Sequence, residues 1–169
     1  MFETQDLLLD KAKFPDWEPM YRNVWSYPES ARYMMWSVTT SEEDAKVRIQ
    51  KTIEFQKAHD TYLVYERKTG EAIGFAGVEK AEPGVWEEAG ICLGPRYVGK
   101  GYGKQILQCL IRYCKEELCA TEFRYSSWEA NEASKGLAKS LGFQLIGSEE
   151  KTDGRNGQYY VLQKYFLKL

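Results

Sequence analysis

The stretch Glu87-Glu-Ala-Gly-Ile-Cys-Leu-Gly-Pro-Arg-Tyr-Val-Gly-Lys-Gly-Tyr-Gly-Lys104 decides how this chain is read. Its first half is a strand that Gly94-Pro95 ends. Its second half carries glycines at 99, 101 and 103 and runs into Ile106, Leu107, Leu110, Ile111, Cys114 and Leu118, one apolar face at helical spacing. Glycines between a strand and a helix remove the side chains that would keep an anion away from backbone N–H groups. The helix starting near Tyr102 adds unpaired donors and the positive end of its dipole. Lys100 and Lys104 add charge. The segment reads as a phosphate cradle.

Two nucleotide motifs fail here in register. Gly94 to Lys100 matches the first seven positions of a Walker A loop, but Gly101 stands where Mg²⁺ binding needs Ser or Thr, and no Walker B strand follows. A dinucleotide fingerprint on Gly99 and Gly101 would need Gly or Ala at Lys104. A phosphotransferase is therefore a distant reading.

Outward from the cradle, Thr61 to Leu93 alternates with period two around turns at Lys68-Thr-Gly70 and Glu82-Pro-Gly84, the pattern of a three-strand antiparallel meander. Before it, Asp6 to Lys13 reads as a strand, and Pro15-Asp16-Trp17 starts a helix carrying Met20, Tyr21, Val24 and Trp25. Ser41-Glu-Glu-Asp44 opens a second helix, running to about His59 with a stripe of Ala45, Ile49 and Ile53. After it come a strand from Thr121 to Trp128, a short helix capped by Asn131 and stopped at Gly142, and a closing hairpin around Asp153-Gly-Arg-Asn-Gly157. The fold class is α+β, a mixed, largely antiparallel sheet flanked by helices.

With 169 residues and no repeat or long linker, a single domain over residues 1–169 is expected. A net charge of −2 supplies no field for nucleic acid, no apolar stretch reaches membrane-span length, and Met1 to Asp10 lacks a signal pattern. A cytoplasmic protein follows, with no nucleic-acid or membrane partner, as a monomer or homodimer. Cys92, Cys109, Cys114 and Cys119 lack zinc-site spacing, and the last three, five residues apart on one helix, point away from each other. They read as reduced, buried thiols, with no metal site.

The cradle resembles the acetyl-CoA loop of the GCN5-related N-acetyltransferase (GNAT) superfamily, whose signature is Gln or Arg, two residues, Gly, one residue, Gly or Ala. Aligned flush with the helix start, it falls on Val98-Gly-Lys-Gly101-Tyr-Gly103, with Val98 in place of Gln or Arg; shifted by two, Arg96, Gly99 and Gly101 fit literally. The flush register is preferred because the backbone makes the cradle. Glu88-Ala-Gly90-Ile ahead of Pro95, and Asn131-Glu-Ala-Ser134 followed by Leu141-Gly-Phe143, are similar to the ribosomal-protein-acetyltransferase-like branch. The likeness covers nearly the whole chain and implies the acyl-CoA N-acyltransferase fold.

The resemblance implies acetyl-CoA in a gap between the strands Val85 to Leu93 and Thr121 to Trp128, donating its acetyl group directly to a primary amine of a small molecule or a protein N-terminus. The implied cofactor contacts are Ile91 and Leu93 through backbone, Val98, Gly99, Lys100, Gly101, Tyr102, Gly103 and Lys104 at the pyrophosphate, and Asn131 and Ser134 along the pantetheine arm. Ile91 N–H would polarise the acetyl carbonyl. The base candidates are Glu87 and Glu88, which strand alternation points to opposite faces. Many members carry an acidic Tyr seven residues after this Asn, where Ala138 stands here, so Ser134 is the remaining hydroxyl. The acceptor region falls on Trp25, Tyr33, Met34, Met35, Trp36, Trp128 and the Asp153 to Tyr160 segment. The alternative is a non-catalytic acyl-CoA-binding sensor or partner module on the same fold, and the missing Tyr leans toward it.

Overall fold

A computed structural model describes residues 1–169. The chain divides into two units, Met1–Glu79 with Ala89–Leu110 and Lys80–Glu88 with Ile111–Leu169. In the first, strands β1 (Phe2–Glu3), β2 (Leu7–Asp10), β3 (Asp60–Glu66), β4 (Ala72–Glu82) and β5 (Val85–Leu93) are hydrogen-bonded in chain order. In the second, the start of β5 is followed by β6 (Glu122–Trp128), β8 (Tyr159–Lys168) and β7 (Gln144–Thr152). β4 and β5 contribute residues to both units, and the eight strands form one mixed sheet. β5 and β6 run parallel, over three pairs from Val85↔Glu122 to Glu87↔Arg124, while β1/β2, β2/β3, β3/β4, β6/β8 and β7/β8 are antiparallel. The expected mixed, largely antiparallel sheet is what forms.

In the first unit, Pro15 opens a single 3-10 turn that continues as α1 (Trp17–Met20) and then as a π-helical turn over Tyr21–Trp25, closed by Ser26 N–H to the Tyr21 carbonyl at 3.2 Å. The wider turn keeps Met20, Val24 and Trp25 all buried. α2 (Pro28–Ala31) and β1 are elements that periodicity did not announce, being too short to show one. α3 (Glu42–Gln56) is capped by Ser41, whose Oγ accepts the Asp44 N–H at 3.1 Å. It ends three residues short of the expected His59, which stacks on Phe55 with ring centres 3.7 Å apart. Ala45 and Ile49 join Met20, Val24, Trp25, Leu63, Ala72 and Cys92 in one cluster, with Ile53 packed against it. Burying a side chain of this kind contributes roughly 1.5–3 kcal/mol.

α4 (Tyr102–Glu116) begins in the first unit and buries Ile106, Leu107 and Leu110 completely. It stops before Cys119, which lies in the following turn at φ +53° and is exposed; that corrects the expectation of a third buried thiol on this helix. In the second unit, α5 (Glu132–Ser140) is capped by Asn131 and followed by Gly142 at φ +82°, as expected. β7 and β8 outrun the expected hairpin, and the turn between them is tied by Asp153 N–H to the Gln158 carbonyl at 2.8 Å. No helix is long and apolar enough to cross a membrane.

Candidate active site

The glycine loop takes its shape from two left-handed residues, Gly99 at φ +81° and Gly101 at φ +79°, on either side of Lys100. Left-handed residues alternating with ordinary ones turn successive N–H groups toward one concave side, an anion-binding geometry. Nothing lies within 4 Å of where a Cβ would stand at either glycine. The N–H groups from Val98 to Lys104 donate to no protein acceptor, and the first helical bond is Gln105 N–H to the Gly101 carbonyl at 3.2 Å. Lys100 lies over the rings of Tyr97 and Tyr102, and Val98 is exposed.

The loop is fastened from below. Glu66 is a buried carboxylate that accepts from Tyr102 Oη at 2.9 Å and from Thr69 Oγ1 at 3.1 Å, and lies 3.9 Å from Lys100 Nζ. Gln105 clamps the same turn to the β1–β2 connection: its Oε1 accepts from Thr4 Oγ1 at 2.7 Å and its Nε2 donates to Asp6 Oδ2 at 2.7 Å. Side chains on both sides of the helix start thus fix the direction in which its free donors point. Ile91 and Leu93, half-buried on β5, flank the buried Cys92, so strand alternation survives there. Burial pushes the Cys92 thiol up to about 12, far from thiolate chemistry.

In the second unit the register separates the two glutamates. Glu87 pairs with Arg124, so it shares the face of that guanidinium, which is already engaged by Glu122 and Glu82 at 2.8 Å each. Glu88 falls on the opposite face and its charge is felt by Tyr125. Tyr125 Oη lies 2.6 Å from Ser134 Oγ, and burial first, then Glu88, push the Tyr125 hydroxyl well above the ordinary phenol range. Asn131 Oδ1 is committed to the Ser134 N–H at 3.1 Å, which leaves its Nδ2 for a ligand. Ser134 is therefore one member of a hydroxyl pair, and Tyr125 is the functional candidate that sequence reading missed. Its spacing from Ser134 has no helical or strand period to reveal it.

Of the aromatic residues expected around an acceptor, Trp25 and Trp36 line a cavity of about 420 Å³ in the first unit, together with Met20, Arg48, Lys51, Thr52, Phe55, Gln56, Thr61, Tyr62, Leu63, Phe75 and Ala89. Tyr33, Met34 and Met35 do not line it. In the second unit Trp128 stacks on Tyr160 at 3.9 Å, and the buried Asp153 is held by Arg155 within its own turn. Arg48 is one of two cations that line the cavity: its guanidinium lies 4.6 Å over the Trp25 ring and 4.4 Å over that of Trp36. His59 Nδ1 donates to the Phe55 carbonyl, 2.7 Å away, beyond the end of α3. No cluster of metal-binding side chains forms.

A fold of this order, carrying a glycine cradle at a helix start, defines a class of proteins built to hold a phosphorylated ligand. Residues 6–144 match the acetyltransferase (GNAT) domain model, and the chain belongs to that family of N-acetyltransferases. It is 28% identical over 164 residues to an uncharacterized N-acetyltransferase p20 of Bacillus licheniformis, covering 94% of this chain and 92% of that one. Among solved structures, a GNAT-family acetyltransferase from Bacillus anthracis superposes with a TM-score of 0.83 at 20% identity, over 98% of this chain and 96% of the other. RimL, a ribosomal L7/L12 alpha-N-protein acetyltransferase crystallised with coenzyme A, gives 0.77 at 21% identity, over 98% and 96%. The protein is an acyltransferase.

Proposed function

We propose that this protein moves the acetyl group of acetyl-CoA directly to the neutral amine of an acceptor, with residues 1–169 working as one acetyltransferase domain. The observation that carries the reading is the run of uncommitted N–H groups from Val98 to Lys104, held on left-handed glycines at the start of α4. That set suits the diphosphate of coenzyme A, with Lys100 and Lys104 neutralising charge. Ile91 N–H is assigned to the acetyl carbonyl, where a fixed donor stabilises the oxyanion of the tetrahedral intermediate. The backbone of Leu93 and the Asn131 amide are assigned to the pantetheine arm. Four cysteines that form no disulfide fit a reducing compartment such as the cytoplasm.

For proton chemistry, Glu88 is the base and Ser134, backed by Tyr125, serves the departing sulfur. Glu87 drops out because its face is that of Arg124. The test is release of coenzyme A thiol over a panel of primary amines, followed by pH profiles. Glu88→Gln should remove the acidic limb of kcat/KM, whereas Glu87→Gln should keep it. A Glu88→Gln enzyme that retains the wild-type limb overturns the assignment of the base.

A further inference from the structure

The cavity beneath α3 holds positive charge and hydrogen-bond donors and no negative charge. Arg48 spends Nη1 on the Thr39 hydroxyl at 3.0 Å and the Ser37 carbonyl at 3.4 Å, and no carboxylate lies within ion-pair distance of it. Its only titratable neighbour of consequence is the Cys92 thiol, which burial keeps neutral. Lys51, one turn along α3, forms no ion pair at the rim. Gln56 is 4% exposed and gives its Oε1 to the Ala12 N–H at 2.7 Å, so its Nε2 is a donor without a protein acceptor. None of the lining residues is acidic. A half-buried guanidinium without a counter-ion is a costly feature to keep unless a ligand supplies the anion. Two indole faces offset only part of that cost.

We propose that this cavity is the acceptor site and that it selects small amines carrying their own carboxylate on an apolar body, as amino acids do. This rests on the acetyl-transfer reading above. Arg48 would take the carboxylate, while Phe75, Tyr62, Leu63 and Met20 surround the apolar part and Gln56 Nε2 offers a further donor on the lining. The volume of about 420 Å³ lies within the roughly 300–1,000 Å³ of small-molecule sites. Ala89 brings β5 to the wall of the cavity two residues before Ile91, on the strand assigned to the acetyl group. The same charge arrangement rejects polyamines and other polycations, because each further ammonium would face Arg48 or Lys51.

The test uses matched pairs that differ only by the carboxylate: L-phenylalanine against phenethylamine, and L-leucine against isoamylamine. Phenylalanyl-glycine, whose carboxylate is displaced, separates a free amino acid from a peptide N-terminus. Binding is read without acetyl-CoA, by the fluorescence of Trp25 and Trp36 and by thermal shift. The carboxylated member of at least one pair should bind tenfold or more tighter than its amine and tighter than the dipeptide. Arg48→Met should erase the difference while leaving the acetyl-CoA thermal shift intact; if that variant does not fold, Lys51→Met at the exposed rim should reduce the preference severalfold. No preference for the carboxylate in either pair, tighter binding of the dipeptide, or a preference that survives the folded variant overturns the proposal. Thiol release is measured in parallel, so selective binding without turnover counts against the transfer of acetyl groups to these amines and not against the cavity.

Discussion

Replacing Gly101 by Asp puts the cradle to its sharpest test. At φ +79° any L side chain costs about 1–2 kcal/mol, and because a Cβ there meets nothing within 4 Å no clash is added. In a domain of this size that loss lowers the Tm by about 2–8 °C. The new carboxylate occupies the open space in front of the free N–H groups, where the diphosphate is assigned. One charge about 5 Å from another costs ~1–3 kcal/mol at effective dielectric constants of about 80 to 20. Two facing phosphate charges double that to about 2–6 kcal/mol, a range that contains a hundredfold loss of affinity, about 2.7 kcal/mol. Acetyl-CoA at ~100 times its wild-type Kd stabilises the fold by roughly 2.7 kcal/mol, a rise of about 5–11 °C. At the same concentration the variant would gain only about 0.4 kcal/mol, or ~1–2 °C. Gly142→Asp is the control: φ is +82°, a Cβ again meets nothing within 4 Å, and the residue lies after α5, so it should lose similar stability and keep the full shift. A folded Gly101→Asp protein with the wild-type shift would refute the site.

Two further outcomes follow from the same geometry. Ser134→Ala should lower kcat by one to two orders of magnitude, about 1.4–2.7 kcal/mol, with little change in acetyl-CoA affinity, and adding Tyr125→Phe should cost no more, because Tyr125 acts through Ser134; additive losses would separate the two. Cys92→Ala should keep most activity at a stability cost of about 1 kcal/mol, since a buried thiol pushed up to about 12 is no nucleophile at neutral pH; an acetyl adduct on Cys92 with ping-pong kinetics would reverse that conclusion.

What was legible in the sequence was local. Gly99 and Gly101, the Ser41 and Asn131 caps and the alternation of β3 to β5 each act within a few residues, so the cradle and the element order could be read from their neighbours in the chain. The choice between Glu87 and Glu88 was not local: it depends on the three-pair register of β5 against β6, which no spacing within either strand contains. Arg48 was illegible for a related reason. It borders the Ala45–Ile49–Ile53 stripe and looks like any cation flanking an apolar face, until Trp25 and Trp36 close over it from other elements. The end of α3 went wrong because His59 stacks back on Phe55 in a turn that follows the helix without continuing it.

Ala138 in place of the family's Tyr asks what a hydroxyl must do for a departing thiolate. An ordinary thiol has a pKa near 8.5, well below that of any alcohol and below the ~10 of a phenol, so a serine need not surrender its proton to the sulfur. A hydrogen bond to the developing charge is enough, and it strengthens as that charge grows. Either hydroxyl of the pair at 2.6 Å can donate; with Tyr125 O–H as donor, the serine proton is left for sulfur and is polarised. Ala138 is fully buried on α5, where it packs, and the phenol beside Ser134 is that of Tyr125 on β6. The sign of the Tyr125 shift then fixes a pH profile. A phenol whose pKa is raised keeps its proton as pH climbs past the ordinary value, so kcat should stay flat between pH 8 and 10. A general acid of ordinary phenol pKa would instead lose its proton toward the top of that range and pull kcat down. A basic limb in kcat that midpoints below pH 10 and disappears in Tyr125→Phe would show that the tyrosine titrates in the working enzyme, and the donor role given to Ser134 would fail with it.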